Sequence, residues 1–303
     1  MFVLVVDGGG TKTRAWVVEA ATHKVVSTLD TGASNLGRVG LEGFRKVLEE
    51  IHFKLLPEIS IEGVAIGVAG AGRELERQRA LRVAKSIFQG GNIFVTSDAE
   101  LAYRGAFHRG KHGVLLIAGT GSIAFYQTPF THEFIRAGGW GPLLGDEGSG
   151  TWLGREVLRQ CLFEWERDEF SSFQADALEI IGVDEPSQIL TRVYHEGFGP
   201  QDWARLAPLV FRYAEEHPGC KRTLQRMAII LVGLVERLSE RLPQNSENVP
   251  LVVLGGLWEQ KAILQPLMEE EIEVRHLPMV FTEPVGGPLE GGVLLLEEKM
   301  KRL

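Results

Sequence analysis

Two glycine-rich loops and several carboxylates are the residues of this sequence whose types and spacing can do chemistry. The first loop is Asp7-Gly8-Gly9-Gly10-Thr11-Lys12-Thr13, between two strand-like segments. Glycines leave backbone N–H groups accessible and adopt positive φ, so such a loop can hold phosphate oxygens. It lacks the Walker spacing, and because a strand follows it, it is no dinucleotide fingerprint. A tight hairpin turn is the alternative interpretation.

A second loop of the same kind, Gly119-Thr120-Gly121-Ser122, follows the apolar segment from Val114 to Ala118. Two loops in the same strand context indicate duplicated lobes, and facing one another they can grip the phosphate tail of a nucleotide from both sides. The pair therefore predicts a nucleotide site more strongly than either loop alone.

Asp7 lies where the first strand meets its loop, a place where burying an unpaired carboxylate is costly. We expect it to hold a hydrated Mg²⁺, since this ion keeps several waters and needs only one or two carboxylates besides phosphate oxygens. Hydrogen bonds from the amides of its own loop are the alternative.

Asp98 is the candidate for the catalytic carboxylate. It follows the strand-like segment from Asn92 to Thr96 and precedes a helical pattern from Ala99 to Phe107. Ligands collect at the C-terminal ends of strands in open α/β sheets. Phosphoryl transfer to an alcohol needs a group that accepts the hydroxyl proton, and an Asp often does so. The alternative is that Ser97 and Asp98 cap the helix, and the two roles are compatible.

The most unusual stretch is Gly138-Gly139-Trp140-Gly141-Pro142, followed shortly by Gly145-Asp146-Glu147-Gly148-Ser149-Gly150. Sugar sites commonly combine carboxylates, which accept hydrogen bonds from hydroxyls, with an aromatic face that packs on C–H groups. Asp146 and Glu147 supply the carboxylates here, and Trp140 supplies the aromatic face. The alternative is a buried Trp140 with an acidic start to the next helix, where the helix dipole favours carboxylates. Asn35 alone is as well explained by a simple Asx turn.

Strands and helices that alternate along the chain must position these residues. Apolar and β-branched runs predict strands over 2–6, 14–19, 63–68, 92–96, 114–118, 123–126 and 250–254. Apolar residues at helical spacing predict helices around 41–55, 75–88, 151–166 and 227–242. This alternation favours an α/β fold. The 303 residues predict two lobes, because cores tend to split into domains of roughly 100 to 200 residues.

The composition excludes several classes of protein. The net charge of −8 disfavours nucleic acid and anionic membrane surfaces as partners, and 44% apolar residues allow a sizeable core. No apolar run approaches the roughly 20 residues that span a bilayer, and no basic signal region precedes Phe2, so a cytoplasmic location is expected. Cys161 and Cys220 indicate neither a disulfide framework nor a cysteine-rich metal site.

The motifs, in this order and spacing, resemble the N-acetylglucosamine kinase branch of the actin/hexokinase superfamily, which is grouped with the BadF/BadG/BcrA/BcrD ATPases. The resemblance covers nearly the whole chain. It is carried by the two loops, by Ser34-Asn35, Ser97-Asp98-Ala99, the stretch 139–149 and the segment from Leu251 to Trp258.

The resemblance implies an ATP-dependent sugar kinase that uses Mg²⁺ and phosphorylates the 6-hydroxyl of N-acetylglucosamine or glucosamine, with Asp98 accepting the hydroxyl proton. The substrate-binding residues that it implies are Asn35, Ser122, Gly139, Trp140 and Asp146. The ATP-binding residues that it implies are Gly9, Gly10, Thr11, Lys12, Gly119, Thr120, Gly121, Gly255 and Gly256.

The resemblance also implies a duplicated, two-lobed actin-like ATPase (ribonuclease H-like) fold, with the active site in a cleft that closes between the lobes. The N-terminal lobe would contain 1–116 and a returning C-terminal helix over 289–303, and the C-terminal lobe 117–288. A homodimer formed through an exposed helix such as 151–166 is a further expectation.

Three other functions compete with this one. An activator ATPase of the BadF type requires cysteine ligands for a [4Fe-4S] cluster, and neither Cys161 nor Cys220 has a suitable context. A sugar-responsive transcription regulator requires a DNA-binding module, for which the early loop at Asp7 leaves no room. A kinase for glucose or another sugar is the closest rival, because Pro142, Leu143 and the segment 68–72 depart from the pattern of some relatives.

Overall fold

The computed structural model describes residues 2–57, 59–88, 91–107, 112–129, 133–243 and 246–301. The chain divides into two compact units, of which the first contains residues 1–111 and 283–303 and the second residues 112–282. Each unit is built on a five-stranded mixed sheet. Among the helices of the described residues, none is long and apolar enough to cross a lipid bilayer.

The first unit begins with β1 (Phe2–Gly8), β2 (Thr13–Glu19), β3 (Lys24–Thr31), α1 (Leu36–Leu55), β4 (Ile61–Val68), α2 (Glu74–Ile87), β5 (Asn92–Thr96) and α3 (Asp98–Ala106). The second unit begins with β6 (Val114–Ala118), β7 (Ser122–Gln127), β8 (Phe134–Gly138), α4 (Gly150–Trp165) and α5 (Ser172–Ile181). It continues with α6 (Ile189–His195), α7 (Pro200–Ala204), α8 (Ala207–Arg212), α9 (Pro218–Ser239), β9 (Val249–Leu254), α10 (Lys261–Val274) and β10 (Met279–Phe281). The chain then returns to the first unit as α11 (Pro288–Met300).

The two sheets repeat one topology. The strand order is β3-β2-β1-β4-β5 in the first unit and β8-β7-β6-β9-β10 in the second. In each, the first three strands in chain order pair antiparallel, and the last two are added parallel to the first of them. The prediction of a duplicated, two-lobed α/β fold is therefore confirmed.

The continuous apolar run of β1 is explained by burial on both of its faces. Leu4 and Val6 belong to a core cluster with residues of α1 and α2, whereas Val3 and Val5 belong to a second cluster with α3 and α11. Side chains of a strand alternate between faces, so a sheet covered by helices on both sides requires apolar residues at every position. The helix α11 thus completes the first unit.

The unit boundaries fall a few residues before the predicted ones. A boundary after Leu116 would divide β6, whose residues from Val114 pair with both β7 and β9 of the second unit. Because all the ladder hydrogen bonds of β6 join it to strands of the second unit, the whole strand belongs to that unit. The helix α4 is largely buried within the second unit rather than exposed, and the homodimer stays a prediction.

Candidate functional site

The first glycine-rich loop closes the hairpin between β1 and β2. The N–H of Gly9 donates to the carbonyl of Lys12 at 3.0 Å. The carbonyl of Gly9 accepts from the N–H groups of Ser34 and Asn35 at 3.2 and 3.1 Å, just ahead of α1. Thr11 and Lys12 are exposed at the tip. The loop is therefore held at its base by α1 and is open to solvent at its tip.

Asp7 is paired across this hairpin with Arg14, a residue that the motif analysis did not single out. The two residues are register partners, and Arg14 Nη2 lies 3.2 Å from Asp7 Oδ2. Burial raises the pKa of Asp7, and the charges of Arg14 and Lys12 oppose that rise. The carboxylate is thus bonded to a neighbouring cation rather than to its own loop amides.

Asp98 is the first residue of α3, and Ser97 is its N-cap. The Ser97 hydroxyl oxygen accepts from the N–H of Glu100 at 3.1 Å, so the cap is supplied by the neighbour of Asp98. Burial raises the pKa of Asp98 to about 6; the N–H groups of Ala99 and Asp98 donate to the carboxylate and oppose that rise, and the nearby charge of Asp7 adds to it. A carboxyl with this pKa is mostly ionised at neutral pH and can accept a proton.

Asn35 is the N-cap of α1. Its side-chain oxygen accepts from the N–H of Gly37 at 2.9 Å, which is the Asx turn that its sequence context allowed. This leaves the amide nitrogen of Asn35, which donates to no residue of the described part of the chain, as the group with which it can bind a ligand.

The second glycine-rich loop joins β6 to β7 and repeats the arrangement of the first. The N–H of Gly119 donates to the carbonyl of Gly121 at 2.9 Å. The carbonyl of Gly119 accepts from the N–H of Gly150, the first residue of α4, at 2.7 Å. Here too, a helix N-terminus holds the base of the loop.

Asp146 lies directly against this second loop. A Cβ at Gly121 would be only 2.8 Å from Asp146 Oδ2, so a larger residue there would displace the Asp146 carboxylate. The N–H groups of Gly141 and Ser122 donate to the Asp146 carboxylate and oppose the rise in its pKa that burial causes. Asp146 also has a φ of 62°, a conformation that non-glycine residues seldom adopt and that often marks a functional position.

Trp140 is exposed over 56% of its surface and is not a core anchor. The guanidinium carbon of Arg136 lies 4.6 Å from the centre of its ring. The next residues form a tight turn in which the N–H of Gly145 donates to the carbonyl of Gly141 at 2.9 Å. This turn connects the exposed aromatic ring to Asp146.

Ser122 and Gly139 connect these elements. The buried Ser122 hydroxyl donates to the carbonyl of Glu147 at 2.6 Å, and the N–H of Gly139 donates to the carbonyl of Ser122 at 3.0 Å. The Ser122 side chain is thus used to hold the acidic loop, while Glu147 itself is exposed.

Gly255 lies at the end of β9 with a φ of 106°. A Cβ there would be 2.3 Å from the carbonyl oxygen of Ala118 and 3.0 Å from the nitrogen of Gly119. Gly256, which begins a 3-10 helix, faces open space. This segment therefore packs on the second loop, and the contact of Gly255 and Gly256 with a nucleotide stays a prediction.

The structure gathers the candidate residues into two sets, one in each unit. The first set contains Asp7, Gly9, Gly10, Thr11, Lys12, Asn35 and Asp98. The second set contains Gly119, Thr120, Gly121, Ser122, Gly139, Trp140, Asp146, Gly255 and Gly256. Sequence reasoning missed Arg14, although the hairpin register places it opposite Asp7, and the β-hairpin motif was the signal that could have found it.

Comparison with known proteins gives concordant matches. The profile of the BadF/BadG/BcrA/BcrD ATPase family matches residues 4–291. The N-acetylmuramic acid/N-acetylglucosamine kinase of Clostridium acetobutylicum is 29% identical over 263 residues, which cover 84% of this chain and 85% of that protein. The N-acetyl-D-glucosamine kinase of Dictyostelium discoideum is 28% identical over 312 aligned positions, with 96% of each chain covered.

A solved structure extends the similarity to the whole fold. A protein from Chromobacterium violaceum, assigned as an N-acetylglucosamine kinase, superposes with a TM-score of 0.78 at 25% identity. The superposition covers 97% of this chain and 98% of that one.

Substitution of Gly255 tests the packing of the second loop. We expect Gly255→Ala to lower the free energy of unfolding by about 2 kcal/mol or more, because its Cβ collides with backbone atoms and its φ strains an alanine. Gly256→Ala is the matched control and should change the free energy by less than about 1 kcal/mol. Urea unfolding of both variants measures the difference, and equal effects would contradict the close packing at Gly255.

The raised pKa of Asp98 predicts a pH-dependent gain in stability for Asp98→Asn. The folded state binds the Asp98 proton more tightly than the unfolded state does. The neutral carboxyl therefore adds its full stability below about pH 4. That stability is lost as the pH rises through about 6. The Asn side chain keeps an oxygen that can accept hydrogen bonds but carries no charge. We expect the variant to gain about 1 to 2 kcal/mol at pH 8 and almost nothing at pH 4.

Thermal or urea unfolding at both pH values measures this gain. The exposed Asp184 supplies the control, since Asp184→Asn should leave stability unchanged at both. A gain that did not depend on pH would contradict the assignment of Asp98 as a destabilised carboxylate.

Proposed function

The chain belongs to the BadF/BadG/BcrA/BcrD ATPase family, and from that premise we propose that it is an ATP-dependent sugar kinase. In this proposal it transfers the γ-phosphate to the 6-hydroxyl of N-acetylglucosamine or glucosamine. One observation carries the proposal: Asp146, a candidate reader of sugar hydroxyls, lies in contact with a phosphate-type loop at Gly121. Hydrolysis of ATP alone gives no role to the exposed ring of Trp140, whereas a sugar presents C–H groups that such a ring can bind.

The two glycine-rich loops are proposed to bind the phosphate oxygens of ATP. Gly9, Gly10, Thr11 and Lys12 do so in the first unit, and Gly119, Thr120 and Gly121 in the second. Lys12 adds a positive charge at the exposed tip of its loop, which suits an anionic ligand. Gly255 and Gly256 are proposed to lie against the nucleotide, because the segment packs on the second loop.

Asp7 is the residue proposed to bind Mg²⁺, through water. In the described part of the chain, no group of three or more His, Cys, Asp or Glu side chains could hold a metal ion. Mg²⁺ fits this setting, because it is bound by few carboxylates together with phosphate oxygens and water. The partly buried Asp7 carboxylate accepts from Arg14 with one oxygen, and its other oxygen can face such a hydrated ion. The bound ion would neutralise charge on the phosphates.

Asp98 is proposed to accept the proton of the attacking sugar hydroxyl. Its pKa of about 6 makes it ionised yet basic enough to take a proton near neutral pH. The capping role that competes for this residue is taken by Ser97. Loss of the hydroxyl proton to Asp98 as the new O–P bond forms leaves a neutral carboxyl, which the burial of this site favours.

The remaining residues are proposed to hold the sugar. Asp146 accepts hydrogen bonds from hydroxyls, and its two backbone donors keep it oriented. The exposed ring of Trp140 offers an apolar face for sugar C–H groups. Asn35 contributes its amide nitrogen, since its oxygen caps α1. Ser122 and Gly139 act through the loop backbone that they hold.

The iron–sulfur alternative is disfavoured by the surroundings of both cysteines. Cys161 and Cys220 are buried and unbonded to each other, and burial raises the pKa of Cys220 to about 12. A cluster shared across a dimer needs cysteines that reach the protein surface, whereas Cys161 in α4 and Cys220 in α9 are both fully buried. This observation favours the sugar kinase over the activator ATPase.

ADP release tests the proposal directly. With Mg-ATP, we expect release to depend on sugar and to be fastest with N-acetylglucosamine or glucosamine. N-acetylmuramic acid, glucose and N-acetylmannosamine complete the panel, because one relative is named for the first of these and other hexoses are the closest rivals. Iron should be absent from the same sample. Release that ignores every sugar, in protein that contains iron, would identify an activator ATPase instead.

Removal of the Asp98 carboxylate tests its role as the base. Asp98→Asn should lower kcat by about 10² or more while leaving the Kd of ADP nearly unchanged, which is the usual effect of a lost general base. In the wild type, kcat/KM should fall as the pH drops below about 6, where Asp98 becomes protonated. Asp184→Asn is the control, and turnover of Asp98→Asn equal to that of the control would remove Asp98 from the mechanism.

A further inference from the structure

The second loop has two consecutive carbonyl groups that are hydrogen-bonded to the first turn of α4. The carbonyl of Gly119 accepts from the N–H of Gly150 at 2.7 Å. The carbonyl of Thr120 accepts from both the N–H and the hydroxyl of Thr151, at 3.2 and 2.7 Å. Thr151 is 1% exposed, so this contact is shielded from water.

The first loop has the same pair of bonded carbonyls, formed by different groups. The carbonyl of Gly9 accepts from the N–H groups of Ser34 and Asn35 at 3.2 and 3.1 Å. The carbonyl of Gly10 accepts from Nη1 of Arg38, which extends back from the first turn of α1. Arg38 in the first unit thus does for Gly10 what Thr151 does for Thr120 in the second.

These carbonyls determine the direction of the loop N–H groups. A trans peptide is planar, with its C=O and N–H pointing in opposite directions. The bonded carbonyls of Gly9 and Gly10 therefore point the N–H groups of Gly10 and Thr11 away from α1. In the same way, those of Gly119 and Thr120 point the N–H groups of Thr120 and Gly121 away from α4. Within the described residues, none of these four N–H groups donates to a carbonyl.

We propose that Thr151 and Arg38 are positioning residues that orient the N–H groups of the two loops for phosphate oxygens. This inference rests on the proposed nucleotide-binding function and assigns the residues that prepare the loops for it. Neighbouring unbonded N–H groups in a loop can form an anion-binding concavity. Glycine-rich peptides rotate easily, so without these hydrogen bonds the N–H groups would lose their common direction before the ligand arrives.

The geometry separates positioning from direct binding. The Thr151 hydroxyl has its single proton directed at the carbonyl of Thr120, and its other acceptor contact, Pro200 O, is longer at 3.3 Å. It therefore has no free donor for a phosphate. Arg38 is exposed and charged, so a direct attraction to phosphate must be distinguished from its hydrogen bond to Gly10.

The test is the Kd of ADP, measured by calorimetry on the full-length protein. Thr151→Val keeps the shape and removes the hydroxyl, and we expect it to raise the Kd about fivefold, the effect of one lost hydrogen bond. Thr151→Ser keeps the hydroxyl and should restore the wild-type Kd. Arg38→Gln should also raise the Kd about fivefold, and since the two bonds are in different units, the double variant should lose about 25-fold.

Two further measurements distinguish loop positioning from a general defect and from a direct charge effect. The KM for sugar should change much less than the Kd of ADP in these variants, because Asn35 keeps its bond to Gly37 and Asp146 keeps its bonds to Gly141 and Ser122. The ratio of variant to wild-type Kd should be the same in 0.1 and about 1 M KCl for Thr151→Val and for Arg38→Gln, whereas a direct charge effect would be screened at high salt. Arg45→Gln is the control, since this half-exposed arginine of α1 donates to Ser86 and to neither loop.

The outcomes separate this inference from the proposed function. Wild-type protein that binds ADP, with Thr151→Val binding it equally well, overturns the inference alone. Loss of ADP binding in Thr151→Val that Thr151→Ser does not restore also overturns it, because a general packing defect then accounts for the loss. Wild-type protein that binds no ADP overturns the proposed function and this inference together.

Discussion

Hydrogen bonds from the helix N-termini to the loop carbonyls are the constraint on which the candidate site of each unit depends. A glycine-rich loop has little conformational preference of its own. Ser34 and Asn35, just ahead of α1, fix the carbonyl of Gly9, and Gly150, the first residue of α4, fixes the carbonyl of Gly119. The same bonds satisfy helix N–H groups that have no partner within their own helix. These bonds leave the N–H groups of Gly10, Thr11, Thr120 and Gly121 without a carbonyl partner among the described residues.

The two hairpins of the repeated fold differ in chemistry at a matched pair of positions beside their loops. Asp7 faces Arg14 across the first hairpin, whereas Ile117 faces Ile123 at the matching place in the second. The charged pair of the first hairpin thus corresponds to two isoleucines in the second. Of the two hairpins, only the first has a carboxylate at this position beside its loop. The second unit instead places its carboxylate, Asp146, on the far side of the loop against Gly121. Two copies of one scaffold therefore carry different side chains beside their loops.

Both candidate carboxylates are held at a cost in free energy, as is common for residues of functional sites. Asp98 is destabilised by burial and by its neighbour Asp7, and Asp146 combines burial with a backbone conformation that is rare outside glycine. Such costs persist only where the surrounding structure compensates for them, and they concentrate at functional sites. In both cases backbone N–H groups provide the compensation, which orients the carboxylate as well as stabilising its charge.

The sequence by itself determined the α/β class, the duplicated hairpins and the positions of the main strands and helices, because apolar periodicity and glycine-rich turns are local signals. It also predicted Asp98 and Asp146 as candidates, since their motifs are contiguous. It did not decide whether Trp140 is exposed, whether Asn35 caps a helix, or that Arg14 faces Asp7 and Gly255 contacts Ala118. It could not connect Thr120 with Thr151 or Gly10 with Arg38, contacts that span 31 and 28 positions. Only the tertiary structure decided these points, because they depend on which distant backbone groups lie within hydrogen-bonding distance once the layers have packed.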